Sequence, residues 1–394
     1  MISIRHFAQL QRLDWKTVIA ILLLLTIGIA FIYSAGHSTE GTSTLLYRKQ
    51  LLWASIGIVF FIGFAITDYH QWTRIAWWLY GIGLALLMIV LIPQLGYKIY
   101  GARRWLQIAG IRIVQPAELM KIATILVIAR LFGWPGRNVT QPRYLFIALT
   151  IVIIPMLLIM KQPDMGTAMI FLPTLLILMF ISGVRLRILA ILIACALVVS
   201  AIVIGIILLP PRLGWTEAQQ TKAVKLIGIA PYQRDRIAVF FDSDLDPLGA
   251  GWSKAQSQIA VGSGRLWGKG YLKGTQNILG FLPRRVAPND FIFSIIAEEK
   301  GFAGAITVLI LFMIILFSGM SAAFRARDRM GRLICMGMIT MLFSHIVINV
   351  AMTIGLFPIT GTPLPLLSYG GTFMLSAMSA LGIIQSVYIR RDWK

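Results

Sequence analysis

The stretch 284–304 places acidic residues beside a long apolar segment. It reads RRVAPNDFIFSIIAEEKGFAG: a basic pair and Pro288 precede Asp290, an apolar run follows, and Glu298 and Glu299 come next. This order predicts that Asp290 lies at the edge of a membrane, where water meets lipid. A carboxylate in that position is costly unless it is paired or used for chemistry. Asp290 is therefore the first candidate for a functional residue.

Two other stretches carry charges that could bind an anion. The sequence GARRW contains Arg103 and Arg104, and QPAELMK places Glu118 and Lys121 three residues apart, on one face of a helix. Guanidinium forks and lysine point charges both suit phosphate. Ordinary interfacial anchoring is the alternative for the arginines, and a structural ion pair between helices is the alternative for Glu118 and Lys121.

Two short segments offer further basic residues. In KQPDMGT, Lys161 could reach an anionic headgroup, while Asp164 is predicted to cap the helix that follows. The run GSGRLWGKG, which includes Lys269, does not match a P-loop, but its backbone N–H groups and its lysine could still face a phosphate.

Prolines and glycines interrupt the last apolar region of the chain. The sequence GLFPITGTPLPLLSYGGT, residues 355–372, cannot form a continuous helix. Such backbone is tolerated at membrane depth only inside protein or beside a cavity. A re-entrant loop is predicted here, with Ser368 and Tyr369 at its mouth.

The elements that position these residues are predicted to be transmembrane helices. Of the 394 residues, 58% are hydrophobic and 13% charged, whereas soluble domains carry about 25% charge. Apolar runs of about 20 residues, each long enough to cross a bilayer, recur along the chain. An all-α polytopic membrane protein with ten helices is predicted, because a β-barrel would show short alternating segments. The predicted spans are 16–35, 48–67, 74–93, 117–134, 143–160, 165–183, 187–210, 292–318, 332–356 and 367–389.

Charge in the loops predicts the orientation of this single membrane domain, residues 1–394. Arginines concentrate in the short loops of one face, which places both termini in the cytoplasm. The long segment 211–290 then forms an extracytoplasmic loop. That loop is also basic, which indicates either a solvated face or an anionic ligand held at the outer surface. The net charge of +21 does not indicate nucleic acid, because no soluble basic domain exists.

Several of these motifs together resemble those of the SEDS family (shape, elongation, division and sporulation), and most closely its elongation branch. The motifs run in the same order across most of the chain, with one departure, since Asn289 stands where the family usually has Thr. They are GARRW at 101–105, QPAELMK at 115–121, KQPDMGT at 161–167, QSQIAVGSGRLWGKG at 256–270, NDFIFSIIAEEKGFAG at 289–304 and GTPLPLLSYGGT at 361–372.

The resemblance implies a multi-pass protein of the bacterial cytoplasmic (inner) membrane. It implies a peptidoglycan glycosyltransferase that polymerises lipid II during cell elongation, with its active site on the extracytoplasmic side. It also implies a partner, a class B penicillin-binding protein that supplies transpeptidation.

A mechanism for such a polymerase needs one base and a cationic cradle. A diphosphate leaves without protonation when cations or a metal neutralise it. Our hypothesis is that Asp290 is the base and that the reaction inverts the donor anomeric carbon. Arg103, Arg104 and Lys121 would bind the diphosphate, and Glu118 would orient Lys121. A divalent cation, Mg²⁺ or Mn²⁺, is a further expected ligand of the diphosphate.

Two other function classes fit parts of the same pattern. A transporter that flips lipid II would also show intramembrane charges and a broken helix. A scaffold that recruits a transpeptidase without catalysis would leave Asp290 dispensable. The position of the charged residues towards the outer face favours the polymerase.

Overall fold

The structure is a computed structural model of the chain. It describes residues 11–37, 43–99, 102–108, 111–136, 139–212, 214–216, 219–220, 222, 224, 229–242, 245–247, 249–283 and 286–391. The basic pair at 284–285, predicted to lie at the membrane edge, falls outside these residues.

Long apolar helices make up most of the described chain, and one of them overlaps each of the ten predicted spans. In chain order these long helices are α1 (Trp15–His37), α2 (Ser43–Ile66), α4 (Ala76–Val90), α5 (Pro116–Gly133), α6 (Pro142–Lys161), α7 (Met165–Ile181), α8 (Leu186–Arg212), α13 (Ile292–Phe324), α14 (Arg329–Thr353) and α15 (Gly371–Ile389). The shorter helices are α3 (Tyr69–Arg74), α9 (Pro231–Phe241), α10 (Ala250–Ser263), α11 (Thr275–Ile278) and α12 (Ala287–Asp290). The all-α polytopic class is confirmed.

Seven of the described helices are long and apolar enough to cross a membrane. Among these seven, α14 and α15 lie at the centre, with 72% and 83% of their apolar windows buried, whereas only 6% of α8 is buried. Helices α4 and α7 are apolar but shorter. The number of ten membrane crossings therefore stays a prediction.

A small β-sheet, which was not predicted from the sequence, follows α4. Strands β1 (Gly96–Ile99), β2 (Ala102–Ile108) and β3 (Ile111–Val114) pair antiparallel in the order β1-β2-β3. The strands are rich in β-branched and aromatic residues, which favour a pleated surface. Because neighbouring side chains of a strand point to opposite faces, β2 separates Arg103 from Arg104.

Helix α13 is kinked at Gly301, where φ is +65°. A Cβ at this position would clash with the backbone nitrogen of Gly268, so only glycine fits. The loop that crosses the kink restores the missing hydrogen bonds: Phe302 N donates to Arg265 O (2.8 Å) and Lys269 N donates to Glu298 O (3.0 Å). The glycine-rich run thus fills a break in a membrane helix, and its N–H groups at 269 and 270 bind backbone carbonyls.

The segment between α14 and α15 is irregular, as predicted, and it packs against α12. Tyr369 N donates to Pro288 O (3.0 Å), and the Ser368 hydroxyl donates to Asn289 O. Leu364 N in turn donates to the Ser368 hydroxyl (2.8 Å). These bonds hold the backbone immediately before Asp290.

The N-terminal end of α14 contacts the short helix α3, which lies between α2 and α4. Asp328 caps α14 by accepting from Gly331 N (2.9 Å). The same carboxylate accepts from the Tyr69 hydroxyl (2.7 Å) and lies 3.0 Å from His70 Nε2. The N-terminal end of α14 is therefore fixed by side-chain contacts.

Candidate active site

Asp290 ends the one-turn helix α12, just before α13 begins. Its backbone nitrogen donates to Val286 O (2.8 Å), and its carbonyl accepts from Asn349 Nδ2 of α14 (3.0 Å). The amide of Asn349 also donates to Thr362 O (2.7 Å), so a single buried side chain joins α12 to the irregular segment.

The carboxylate of Asp290 faces the irregular segment at Gly361. A Cβ at Gly361 would lie 3.2 Å from Asp290 Oδ2 and 3.4 Å from Arg236 Nη1. The carboxylate and the guanidinium are therefore at most about 6.6 Å apart, since both lie that close to one point. Arg236 is fixed from the other side, because its Nη1 donates to Ile359 O (2.6 Å).

Burial controls the acidity of this carboxylate. Burial is the largest influence and raises the pKa of Asp290, as does the charge of Asp164, while the charges of Arg236 and Arg104 lower it. The net result is a rise from 3.8 to about 6. A general base works best when its pKa lies near the working pH. Asp290 meets that condition at neutral pH.

Arg104 and Asp164 form a second charged pair beside the base. Arg104 Nη1 lies 3.6 Å from Asp164 Oδ1, and Arg104 Nη2 donates to Pro163 O. Asp164 also accepts from Gln115 Nε2 (3.1 Å) and from Thr167 N (3.3 Å). The prediction that Asp164 caps the following helix is confirmed.

A small cleft of about 10 Å³, enough for about one water molecule, opens between these elements. Its polar lining comes from Arg104 in β2, Gln233 and Arg236 in α9, and Thr360 in the irregular segment. Of the residues predicted to hold a diphosphate, Arg104 lies here; Arg236 and Gln233, which also line the cleft, were not singled out from the sequence. Nothing in the pattern PYQRDR distinguishes Arg236 from the other basic residues of the long loop.

Glu118 and Lys121 lie deeper among the helices. Lys121 Nζ contacts Glu118 Oε1 at 3.0 Å and His345 Nε2 at 2.7 Å, and all three side chains are buried. Lys121 also lines an apolar cavity that shares no residue with the cleft. His345 and Asn349 are one turn apart on α14, so this cluster sits one turn below the amide that holds Asp290.

The remaining predicted site residues do not line the cleft. Lys161 ends α6 with an exposed side chain. Lys269 Nζ is paired with Glu298 Oε1 (2.6 Å). Glu298 lies in α13, eight residues after Asp290, which is roughly 12 Å at 1.5 Å per residue. Ser368 and Tyr369 act on the backbone before Asp290, as described above. Their roles towards substrate, like that of Arg103, stay predictions.

The described residues contain no group of three or more His, Cys, Asp and Glu side chains that could hold a metal ion. Mg²⁺ usually binds through one or two carboxylates and the phosphates of its substrate. Asp164 is already engaged by Arg104, Gln115 and Thr167, so a divalent cation would be held mainly by the phosphates of the substrate.

Comparison with known proteins matches residues 15–392 to the family model for the cell cycle proteins FtsW, RodA and SpoVE. The chain is 33% identical to the peptidoglycan glycosyltransferase RodA of Treponema pallidum, over 96% of this chain and 98% of that protein. It is also 33% identical to the peptidoglycan glycosyltransferase MrdB of Escherichia coli K12, over 98% and 96% of the two chains.

The fold agrees with that assignment. A chain from a solved structure of a peptidoglycan synthase complex superimposes with a TM-score of 0.73 at 26% identity, covering 95% of this chain and 97% of that one. The motifs, the helical architecture and the near full-length matches all lead to one conclusion: this chain belongs to the FtsW/RodA/SpoVE family.

Proposed function

We propose that this protein is a peptidoglycan glycosyltransferase that polymerises lipid II, with Asp290 as its general base. The observation that carries the proposal is the setting of Asp290: a carboxylate whose pKa is raised to about 6, near Arg236 and Arg104, two arginines that line a small cleft. The activity is the one named for both relatives of 33% identity.

The reaction requires one proton transfer. Asp290 takes the proton of the acceptor 4-hydroxyl, and that oxygen attacks the anomeric carbon of the donor sugar. The bond from the anomeric carbon to the diphosphate oxygen breaks, and its electron pair leaves with undecaprenyl diphosphate. Attack from the side opposite the leaving group converts an α-linked donor into a β-linked product. General-base help of this kind is typically worth about 10²–10⁴ in rate.

Cations beside the base replace a general acid. Hydrolysis of an ordinary glycoside needs an acid to protonate the leaving oxygen. A diphosphate is already a good leaving group once its charge is neutralised, and Arg104 and Arg236 supply positive charge next to Asp290. Mg²⁺ or Mn²⁺ would add to this neutralisation if it entered the site with the diphosphate, while Asp290 remained the proton acceptor.

The reaction takes place at the extracytoplasmic face of the bacterial cytoplasmic membrane, in partnership with a class B penicillin-binding protein. The arginine-rich short loops support this orientation, and the basic long loop does not oppose it because long loops translocate largely regardless of charge. In the similar solved structure, a peptidoglycan synthase complex coordinates polymerization with crosslinking. That pairing of activities supports a transpeptidase partner here.

Purified protein given lipid II in detergent tests the proposal, because no second compartment exists for transport. The native chain should produce glycan strands, and Asp290→Asn should produce almost none while remaining folded. Turnover by Asp290→Asn close to that of the native chain would reject the base. Absence of any polymer from the native chain and its partner would favour a lipid II flippase.

A further inference from the structure

His345 completes a buried polar cluster that joins α5 to α14. Lys121 Nζ contacts Glu118 Oε1 at 3.0 Å and His345 Nε2 at 2.7 Å. The three residues are each at most 5% exposed. A buried ammonium group is costly unless it is both paired and hydrogen-bonded. Glu118 supplies the opposite charge, and the imidazole of His345 supplies a second acceptor.

The lysine determines the protonation state of the imidazole. An ammonium group only donates hydrogen bonds, so Nε2 of His345 is the acceptor and carries no hydrogen. The ring is therefore neutral. The Pro363 carbonyl of the irregular segment lies close to the ring, and the ring of Phe373 in α15 packs against it with centroids 4.8 Å apart. Contacts from α5, α15 and the irregular segment thus fix this side chain of α14.

His345 lies one helical turn from the residue that holds Asp290. Asn349 follows it by four residues, about 6 Å along α14 and on the same side of the helix. The Asn349 amide donates to Asp290 O (3.0 Å) and Thr362 O (2.7 Å). The other polar side chains described between 340 and 353 donate to carbonyls of α14 itself, and they are Thr340, Ser344 and Thr353. In this described half of α14, His345 and Asn349 are therefore the polar side chains that bond to other elements.

A small rotation of α14 would displace the backbone of Asp290. Because side chains reach about 5–6 Å from the helix axis, a rotation of about 10° moves the Asn349 amide by about 1 Å. The hydrogen bond of 3.0 Å to Asp290 O then either breaks or carries the peptide with it. A misplacement of about 1 Å can lower the rate of an enzyme about 100-fold.

We propose that His345 is a positioning residue for Asp290. By accepting a hydrogen bond from Lys121, it sets the rotation of α14 at the level of Asn349, which holds the peptide of Asp290. The proposal rests on the proposed function, since it concerns the placement of the base. It also gives the buried Glu118–Lys121 pair a role that needs no contact with substrate, because the pair anchors α14 through His345.

Polymerisation of lipid II by the purified full-length chain with its transpeptidase partner tests the proposal. His345→Leu keeps a side chain of similar size but removes the acceptor, so kcat should fall about 10- to 100-fold while KM stays within about twofold. His345→Gln should restore most of the rate, because its amide oxygen can accept the same hydrogen bond from Lys121.

The pH profile separates positioning from stability. A moved Asp290 carboxylate changes its distances to three charged groups, so the midpoint of kcat/KM against pH should shift in His345→Leu. These groups are Arg236, Arg104 and Asp164. Loss of stability alone would leave fewer active molecules with an unchanged midpoint.

Ser344→Ala is the matched control. It removes a buried polar group from the neighbouring position of α14, but the Ser344 hydroxyl donates to Thr340 O of the same helix (2.8 Å). Its kcat and its midpoint should both match those of the native chain.

A second comparison covers the case in which His345→Leu alone is too unstable to purify. Lys121→Met combined with Glu118→Gln removes both buried charges and the donor to His345. Since His345 acts through Lys121, adding His345→Leu to this pair should lower kcat by less than about twofold.

Three results would overturn the proposal. A native midpoint in His345→Leu, with kcat lowered only in proportion to the folded fraction, would leave His345 a purely structural residue. Equal losses of kcat in His345→Leu and His345→Gln would show that the acceptor has no role. A further loss of about tenfold on adding His345→Leu to the pair without Lys121 would show that His345 acts independently of the lysine.

Hydrogen exchange separates this proposal from the proposed base. In His345→Leu, the backbone amides of residues 286–291 should exchange faster than in the native chain, and His345→Gln should slow them again. If Asp290→Asn polymerises at the native rate while His345→Leu shows this faster exchange, the base is rejected and the positioning stands. If Asp290→Asn is inactive while exchange and midpoint in His345→Leu match the native chain, the base stands and the positioning is rejected.

Discussion

The pH dependence of lipid II polymerisation should report the charges around Asp290. A base must be deprotonated, so kcat/KM of the native chain should fall about tenfold per pH unit below pH 6 and level off above it. Arg236→Gln removes a positive charge that lowers the pKa of Asp290, so it should move the midpoint upward. Asp164→Asn removes a negative charge that raises the pKa, so it should move the midpoint downward.

The size of the upward shift follows from the separation of the two charges. At the upper limit of about 6.6 Å for this separation, Coulomb's law gives at least about 0.6 kcal/mol at the dielectric constant of water and at least about 2.5 kcal/mol at an effective value of 20. At 1.36 kcal/mol per pKa unit, Arg236→Gln should move the midpoint by about 0.5 to 2 pH units. A shift in that range is easily resolved.

The assay is the initial rate of glycan formation at low lipid II concentration, measured from about pH 5 to 9. Steps of about half a pH unit are enough to resolve a tenfold change in rate per pH unit. Ionisation of the substrate contributes equally to every variant, so differences between variants belong to the protein. Arg234→Gln is the control for loss of charge from α9. Midpoints that coincide in all variants, or that move in the same direction for Arg236→Gln and Asp164→Asn, would refute Asp290 as the titrating base.

Four further outcomes are expected. Asp290→Asn should lower the rate about 10²–10⁴-fold without lowering the unfolding temperature at pH 7, because the raised pKa means that the ionised acid weakens the fold there. Gly301→Ala should lower the unfolding temperature, since φ is +65° and the new Cβ would clash with Gly268 N. Lys121→Met should cost about 3–5 kcal/mol by leaving Glu118 buried and unpaired, and Lys121→Met combined with Glu118→Gln should recover part of it in thermal unfolding. Chelation with EDTA should reduce glycan formation if Mg²⁺ or Mn²⁺ neutralises the diphosphate, and Mg²⁺ should restore it.

The positions of the long helices could be predicted from sequence because hydrophobic length alone decides them. Twenty consecutive apolar residues have few alternatives to a membrane helix. The sheet at 96–114 was missed because its strands are only four to seven residues long and lie between membrane segments. A short apolar stretch without strong periodicity does not separate a strand from a loop.

The candidate site could be predicted only in part. Asp290 stood out because a carboxylate at a membrane edge is unusual, and Arg104 stood out within a short basic motif. Arg236 and Asn349 could not be found in this way, because each meets Asp290 only through the fold. Arg236 of α9 lies 54 residues before Asp290, and Asn349 of α14, which donates to the Asp290 carbonyl, lies 59 residues after it. Lys269 has a structural role that the sequence did not reveal, because the glycine-rich basic run around it also packs into the kink at Gly301.

Helix α14 connects the site to contacts at its own opposite end. Its 25 residues extend about 37 Å, more than the roughly 30 Å of hydrocarbon in a bilayer. Asp328 anchors one end to Tyr69 and His70, and Asn349 near the other end grips the peptide that carries the base. One helix, long enough to span a bilayer, therefore links the contacts of Asp328 to the peptide that carries the base.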